Sequence, residues 1–247
     1  MSKLPTVYIG YDPKEDLYYR VLEYSIKKYS SEPINIVPIK QDKLRRMGMY
    51  HRNGVLDNGQ EVDVFDRKPF STEFSFTRFL VPFLNHLDGQ ALFMDCDMFV
   101  RGDIMEVFHN DTKTNAISCV KHTHVPNDEK KMDGKLQQSY FRKNWSSFVL
   151  WNCDHPEIEN ELTVSDVNTK SGAWLHSFYW SENIGSLNEK WNWLDGHSSE
   201  SIQPKAVHFT TGGPLFRNWE GKRDIDNLYA KEWQELCYEM KQEERQE

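Results

Sequence analysis

The 247-residue sequence lacks the features that would place it in a membrane, in the export pathway or among multidomain proteins. No window approaches the ~20 consecutive apolar residues of a membrane span. The start, residues 1–5, leads into a strand-like segment without the apolar stretch of a secretory signal. No internal repeat or interdomain linker interrupts the chain. We therefore expect a soluble, cytoplasmic protein with one domain over residues 1–247.

Cysteine and net positive charge are also scarce. The four cysteines have no paired spacing, and two of them lie in strand-like apolar runs, which predicts reduced thiols. The formal net charge is −8, so the overall field attracts neither nucleic acid nor an anionic membrane. The expected partner is a small molecule. If it is a nucleoside diphosphate, a bound metal and a few placed Arg or Lys must supply the local positive charge.

The apolar pattern predicts an α/β domain. A strand at Thr6–Tyr11, an amphipathic helix over 14–29 and a strand at Ile34–Ile39 make a βαβ opening, which binds ligands at the carboxyl ends of its strands. Residues 41–70 are predicted to be a long surface excursion, and 125–144 a mobile loop. The remaining predicted strands are 91–94, 116–120, 145–151 and 206–209, and the remaining helical segments begin at 71 or cover 104–108, 156–164, 173–179 and 225–240.

The strand at 91–94 delivers two carboxylates, Asp95 and Asp97, two positions apart. In an extended segment such side chains share a face, so both can converge on one hard cation while Cys96 points elsewhere. This geometry suits Mg²⁺ or Mn²⁺ holding a phosphate. The alternative is a solvated strand end followed by a turn, because Asp is a common turn residue.

Other polar positions are candidate site residues, each with a structural alternative. Arg78 lies among aromatics, so its burial needs either a phosphate ligand or an ion pair with an Asp. His122 and His124 could bind metal but lack a nearby third ligand, which favours loop residues. The remaining candidates share a place at a predicted turn or in an aromatic-rich stretch: Gly10, Tyr11 and Asp12 after the first strand, Glu182, Asn183 and Asp195 among aromatics, and Gly212 and Gly213, which either let amides approach a phosphate or make a tight turn.

Four motifs in this order, Tyr-Asp at 11–12, Phe-Thr-Arg-Phe-Leu at 76–80, Asp-Cys-Asp at 95–97 and His-Phe-Thr-Thr-Gly-Gly-Pro at 208–214, resemble the GT-A nucleotide-sugar glycosyltransferases. The likeness is to glycosyltransferase family 8 and the glycogenin-like group in particular, and it covers most of the chain. It implies a single Rossmann-like GT-A domain with a mostly parallel central sheet flanked by helices, a donor-binding half at about 1–121 and an acceptor-side half at about 122–247.

The resemblance also implies roles for individual residues. Asp95 and Asp97, the DXD motif, and His208 are implied as the metal ligands, with Mn²⁺ favoured over Mg²⁺ by the imidazole. The implied donor-binding residues are Gly10, Tyr11 and Asp12 at the nucleoside base, Arg78, Asp95 and Cys96, and Thr211, Gly212 and Gly213 at the diphosphate. Asp97, Glu182 and Asn183 are the expected catalytic residues, although the acidic-glutamine pair typical of the family is not visible and Glu182-Asn183 is its nearest substitute. A Lys-Pro-Trp is also missing after Gly213, so Arg217 or Lys222 is expected to replace its lysine.

The expected activity is metal-dependent transfer of a sugar from a nucleoside-diphosphate donor, a UDP-sugar in particular, to a hydroxyl of a glycan or other acceptor. The family resemblance implies retention at the anomeric carbon. Because the sequence offers no convincing carboxylate nucleophile, we expect front-face attack by the acceptor. The alternatives are a metal-dependent phosphohydrolase or nucleotidyltransferase, for which only Asp103 is a nearby further carboxylate, and a catalytically silent sugar-nucleotide-binding protein.

Overall fold

The computed structural model of the chain describes residues 3–109, 114–123, 142–216 and 229–246. The strands in chain order are β1 (Thr6–Gly10), β2 (Asn35–Ile39), β3 (Gly54–Asp57), β4 (Gln60–Asp63), β5 (Gln90–Met94), β6 (Met98–Val100), β7 (Ile117–Cys119), β8 (Phe148–Asn152), β9 (Ile184–Ser186), β10 (Trp193–Leu194) and β11 (Ala206–His208). The helices are α1 (Asp16–Tyr29), α2 (Gln41–Arg46), α3 (Val81–Leu84), α4 (Met105–Phe108), α5 (Pro156–Glu161), α6 (Val164–Thr169), α7 (Gly172–His176) and α8 (Ala230–Glu243). Short 3-10 turns cover Pro13–Glu15, Thr77–Leu80, Trp145–Ser147 and Glu189–Asn192.

The central sheet of the described residues has the strand order β2-β1-β5-β8-β7-β9. Every strand except β8 runs in the same direction, because β8 is antiparallel to both of its neighbours. The strands β1 and β5 at its centre are almost wholly buried, as expected of parallel strands covered on both faces. The predicted mostly parallel sheet in an α/β fold is confirmed.

A second sheet, β10-β11-β6, joins the late part of the chain to the strand that follows β5. Helices α1 and α8 pack over it through a core that includes Tyr18, Phe99, Phe209 and Trp233. Only three residues separate the end of β5 from the start of β6. Because β11 pairs with β6, this sheet holds β11 close to the carboxyl end of β5.

The excursion predicted at 41–70 has secondary structure of its own. It contains α2 and the hairpin β3–β4, whose two-residue turn is Asn58-Gly59 with both φ angles positive. Asn-Gly is the preferred pair for such a turn. The buried Arg52 anchors the hairpin: it makes two hydrogen bonds to Asp63 and a third, of 3.1 Å, to the carbonyl of Val167.

Several predicted boundaries differ from the observed ones. The helix expected from residue 71 is the 3-10 turn Thr77–Leu80 followed by α3, and Pro82 stands in the first turn of α3, where a helix tolerates proline. The strand expected at 145–151 begins only at Phe148. The helix expected at 156–164 is two helices, because Leu162 is extended and Thr163 caps α6 with Asp166.

One predicted segment lies largely, and another partly, outside the described residues. Residues 125–141 of the predicted 125–144 loop and residues 225–228 of the predicted final helix 225–240 lie outside them, and the rest of that helix is found as α8. Within the described part of the chain, no helix combines the length and the apolar character that crossing a membrane requires. All four cysteines are buried and unpaired, as predicted.

Candidate active site

The candidate site lies where β5 ends. The side chains of Ala91 to Met94 are fully buried, and the chain leaves the sheet at Asp95, whose N–H donates to the carbonyl of Ser147 at 2.8 Å. Cys96 points away from the two carboxylates, as predicted, and its thiol donates to Glu15 Oε2 at 2.9 Å. Asp95 and Asp97 therefore sit on one side of the chain at the carboxyl edge of the sheet.

His208 reaches the same place from the late part of the chain. Strand β11 pairs with β6 so that His208 lies opposite Met98, and Phe209 N–H donates to the carbonyl of Asp97 at 2.9 Å. His208 Nε2 is 3.2 Å from Asp97 Oδ1. One ligand atom each from Asp95, Asp97 and His208 lie within 4.8 Å of one another. The structure thus brings together the two carboxylates predicted from the sequence and the histidine that the family resemblance implied as the third metal ligand.

This trio fits a divalent cation. Two carboxylate oxygens and an imidazole nitrogen are donors that Mn²⁺ accepts readily, and all three belong to largely buried side chains. Among the described residues, this is the one group of His, Cys, Asp and Glu side chains close enough to hold a metal.

Arg78 is the cation beside this site. Its Nη1 lies 2.8 Å from Asp95 Oδ1 and donates to the carbonyl of Ser146 at 2.9 Å, while Nε donates to the carbonyl of Phe74 at 3.3 Å. The guanidinium also lies over the rings of Phe74 and Phe93. The structure therefore contains the ion pair that was one of two explanations for this arginine. A phosphate contact would come in addition to it.

The titratable groups of the site are strongly perturbed. Burial raises the pKa of Asp95 to about 6, although the charge of Arg78 opposes this. Burial would lower the pKa of His208, but the charge of Asp97, the hydrogen bond to it and the charge of Asp95 together raise it. Such shifts cluster at functional sites because catalysis and ligand binding require charges in confined space.

Glu15 is a site residue that the sequence analysis missed. Burial and then the charge of Asp97 raise its pKa to about 8, with further contributions from Asp12 and Asp95. The charges of Asp12, Asp95 and Asp97 thus all act on Glu15, and Arg78 is the positive charge paired with Asp95. In the sequence, Glu15 is indistinguishable from an ordinary acidic residue in the first turn of a helix, so no local signal marks it.

The three residues after β1 have local partners. A Cβ on Gly10 would lie 2.5 Å from the ring of Phe74, so close ring packing explains this glycine. Asp12 accepts from the N–H of Lys14 at 3.0 Å and of Glu73 at 3.2 Å.

Tyr11 donates to Asp16 Oδ1 at 2.9 Å, and Lys40 Nζ lies 4.5 Å from the centre of its ring. Since β1 is parallel to β5, all three residues lie at the same edge as Asp95. Their predicted contact with a nucleoside base stays a proposal.

The glycine loop follows His208 directly. Gly212 and Gly213 both have positive φ, at 105° and 49°, and a Cβ on Gly213 would lie 2.5 Å from Phe209. Tyr18 holds the loop, because its hydroxyl donates to the carbonyl of Gly212 at 2.6 Å and accepts from Leu215 N–H at 3.1 Å. The loop is a tight turn next to the candidate ligands. Thr211 is exposed on it, and Arg217 and Lys222 lie outside the described residues.

Glu182 and Asn183 are not near this site, which corrects the expectation that they are catalytic. Through β7 and β8, Ser186 is level with Phe93 in the sheet. Asp95 stands two residues beyond Phe93 and Asn183 three residues before Ser186, so they are roughly 16 Å apart along the strand direction alone. Asn183 instead bonds Glu157 on α5 and accepts from Ala116 N–H at 2.9 Å, at the amino edge of the sheet.

His122, in contrast, follows β7 at the carboxyl edge. Burial and the charge of His208 lower its pKa to about 4, so the ring is neutral. Its Nε2 is buried and has no hydrogen-bond partner among the described residues. The sequence predicts a loop residue at this position. Its neighbour His124 lies outside the described residues.

Solved structures with this architecture are glycosyltransferases. The galactosyltransferase LgtC, in complex with donor and acceptor sugar analogues, superposes with a TM-score of 0.58 at 14% identity and covers 95% of this chain and 95% of its own. The apo form of the glycosyltransferase GlyE from Streptococcus pneumoniae TIGR4 gives 0.56 at 14% identity over 96% of this chain and 60% of its own. The predicted GT-A glycosyltransferase fold is confirmed, while membership of family 8 stays a prediction.

A relative in sequence gives the family. Protein CDI of Arabidopsis thaliana is 44% identical over 244 residues, which is 96% of this chain and 89% of that protein. The chain belongs to the family of Protein CDI. No family model matches the sequence.

Proposed function

We propose that this protein is a metal-dependent glycosyltransferase that moves a sugar from a nucleoside-diphosphate donor, a UDP-sugar in particular, to a hydroxyl of a glycan or other acceptor. The observation that carries the proposal is the convergence of Asp95, Asp97 and His208 within 4.8 Å at the carboxyl edge of the sheet. Open α/β sheets bind their ligands at this edge. The LgtC structure, of the same fold, holds donor and acceptor sugar analogues.

In this proposal Asp95, Asp97 and His208 would hold Mn²⁺ or Mg²⁺, which acts as a Lewis acid on the diphosphate when bound. Asp95 and Asp97 repel an anionic donor, and Glu15 adds to this repulsion only where the pH exceeds its raised pKa of about 8. The site therefore needs added positive charge before a diphosphate can enter. Arg78 supplies part of that charge. The Gly212 N–H already donates to the carbonyl of Phe209 at 3.0 Å, so the Gly213 N–H is the candidate uncharged donor in this turn beside His208.

The proposed reaction breaks the bond between the anomeric carbon and the β-phosphate oxygen, and the bonding electrons leave with the diphosphate. The acceptor hydroxyl oxygen forms the new bond on the same face, and its proton passes to the departing phosphate oxygen, which gives retention. Negative charge grows on the leaving group in the transition state, where fixed donors and Arg78 stabilise it. We assign donor binding mainly to residues 1–121 and acceptor binding mainly to residues 122–247. His208 and the glycine turn belong to the second half of the chain but contribute to donor binding.

The first experiment is a thermal-shift and calorimetric screen of UDP-, GDP- and ADP-sugars with and without Mn²⁺. A ligand at 100 times its dissociation constant should stabilise the protein by about 2.7 kcal/mol, which raises the melting temperature by about 5 to 11 °C for a domain of this size. Product analysis without acceptor then separates the enzyme classes. Free sugar with a nucleoside diphosphate supports a transferase, whereas a sugar phosphate with a nucleoside monophosphate supports a phosphohydrolase.

The variant Asp97→Asn should abolish metal-dependent donor binding and transfer with an unchanged fold, because this partly exposed carboxylate contributes ligation and little packing. Asp103→Asn is the matched control. Asp103 accepts from the N–H of Ser31 and Met105 at 3.0 Å each and is not part of the metal-ligand group of the described residues. Full activity of Asp97→Asn at ordinary Mn²⁺ concentration would refute the assignment.

A further inference from the structure

Behind His208 lies a fully buried asparagine, Asn192, at the end of the 3-10 turn before β10. Its Nδ2 is 3.1 Å from the carbonyl oxygen of Asn144 and 3.0 Å from Ser147 Oγ. Its Oδ1 is 3.0 Å from His208 Nδ1. A buried polar group with this many partners is fixed in orientation.

The partners also fix which end of the amide is which. A carbonyl oxygen only accepts, so the atom near the Asn144 carbonyl must be the NH₂ group. Ser147 Oγ donates its own hydrogen to the same carbonyl at 2.7 Å and is therefore free to accept from Asn192. The Oδ1 end must then face His208.

Since Oδ1 only accepts, His208 Nδ1 must carry a hydrogen. The other nitrogen, Nε2, is the one that lies 3.2 Å from Asp97 Oδ1 and within reach of Asp95. A histidine that binds a metal through one nitrogen commonly donates its other N–H to an oxygen, which sets the tautomer and the direction of the ring. The same asparagine bonds Ser147, whose carbonyl accepts from the N–H of Asp95.

We propose that Asn192 is a positioning residue that holds His208 in the Nδ1–H form, with the Nε2 lone pair directed at the carboxylates and available to a divalent cation. The inference rests on the proposed function for its metal, but its first consequence concerns the metal-free protein. Neutral His208 should be the Nδ1–H tautomer in the wild type.

The test is ¹⁵N-histidine NMR of the metal-free full chain, at a pH where the ring is neutral as read from its own titration. The spectrum contains nine histidines, and His208→Gln identifies the signals of interest. The wild type should give the Nδ1–H pattern. Asn192→Leu, which has a similar volume and no acceptor, should shift His208 toward Nε2–H, donated to Asp97. The dissociation constant for Mn²⁺, measured by calorimetry, should rise by about 10- to 100-fold.

Two further variants separate positioning from general stability. Ser147→Ala removes one hydrogen bond of Asn192 but leaves Oδ1 facing His208, so it should lower the melting temperature and keep the Nδ1–H pattern. Asn192→Asp keeps an acceptor at this position, so His208 should keep the Nδ1–H pattern in this variant as well. This variant still tests the inference if Asn192→Leu does not fold. A wild-type Nε2–H tautomer, or the wild-type pattern in a folded Asn192→Leu, would overturn the inference. A wild type that binds no divalent metal but has the expected tautomer would instead count against the proposed function alone.

Discussion

Replacing Arg78 by methionine tests whether this arginine is the counter-ion of the metal-free site. The change removes the partner of Asp95 Oδ1 at 2.8 Å and the side-chain donor to the carbonyl of Ser146. The carbonyl of Phe74 loses the donor Nε but still accepts from the backbone N–H of residue 78. Removing one member of a buried ion pair costs about 3 to 5 kcal/mol, which corresponds to a fall of about 6 to 20 °C in melting temperature for a domain of this size.

The size of the loss should depend on pH. The pKa of Asp95 is already about 6, because burial outweighs the favourable charge of Arg78, and it should rise further without that charge. At pH 5 the carboxyl group of Asp95 can take up a proton, which removes the free-energy cost of burying its charge. At pH 8 it must be buried as an anion without Arg78. We therefore expect a smaller loss of stability at pH 5 than at pH 8.

Divalent metal should reverse part of the loss at pH 8, because a cation held by Asp95 replaces the missing charge. Arg52→Met is the matched control: Arg52 is also buried and paired, with Asp63, but lies outside the metal-ligand group of the described residues. Its loss should be comparable and insensitive to Mn²⁺. The assay is urea unfolding of both variants at pH 5 and 8, with and without Mn²⁺ at about 100 times its dissociation constant for the wild type. Equal losses for Arg78→Met at both pH values and no rescue by metal would refute the counter-ion role.

Two further predictions concern residues around the ligands. Burial, with the charge of Asp97, raises the pKa of Glu15 to about 8, so the folded protein holds a proton that the unfolded chain has released, and metal-free stability should fall as the pH rises from about 5 to 8. Glu15→Gln should flatten this fall in urea unfolding, and an unchanged pH profile would contradict it. Gly213→Ala should destabilise the protein more than Gly48→Ala in thermal unfolding, because both have positive φ but only Gly213 has a ring carbon 2.5 Å from a new Cβ. Equal losses of stability in the two variants would contradict this prediction and show that Phe209 moves aside at little cost.

Asp95 and Asp97 could be predicted as a pair from the residues alone, whereas His208 was implied as the third ligand by the family resemblance. Asp95 and Asp97 follow a short apolar run, and His208 follows another and precedes two glycines. The turn at Asn58-Gly59 carries a similar local signal for the hairpin, inside the region predicted only as a long surface excursion. Local patterns of this kind can be recognised in the sequence because strand and turn preferences depend on only a few neighbouring residues.

Glu15 and Asn192 could not be found in this way. Glu15 becomes part of the site only because α1 packs against the strand end, and the thiol of Cys96 meets it there. Asn192 is one asparagine among several polar residues in a Trp-rich stretch, and its role depends on β11 lying beside it. These contacts join segments far apart in the chain, which no local pattern encodes.

Glu182 and Asn183 show that a local pattern can also suggest site residues that the structure places elsewhere. A polar pair interrupting an aromatic stretch is a reasonable signal for a cleft, but it does not say at which end of a strand the pair stands. Because β9 runs parallel to β5, residues before β9 lie at the amino edge and residues after it at the carboxyl edge. The acceptor side of the cleft should therefore be sought after Ser186, in the segment that ends at Asn192, and not before Ile184.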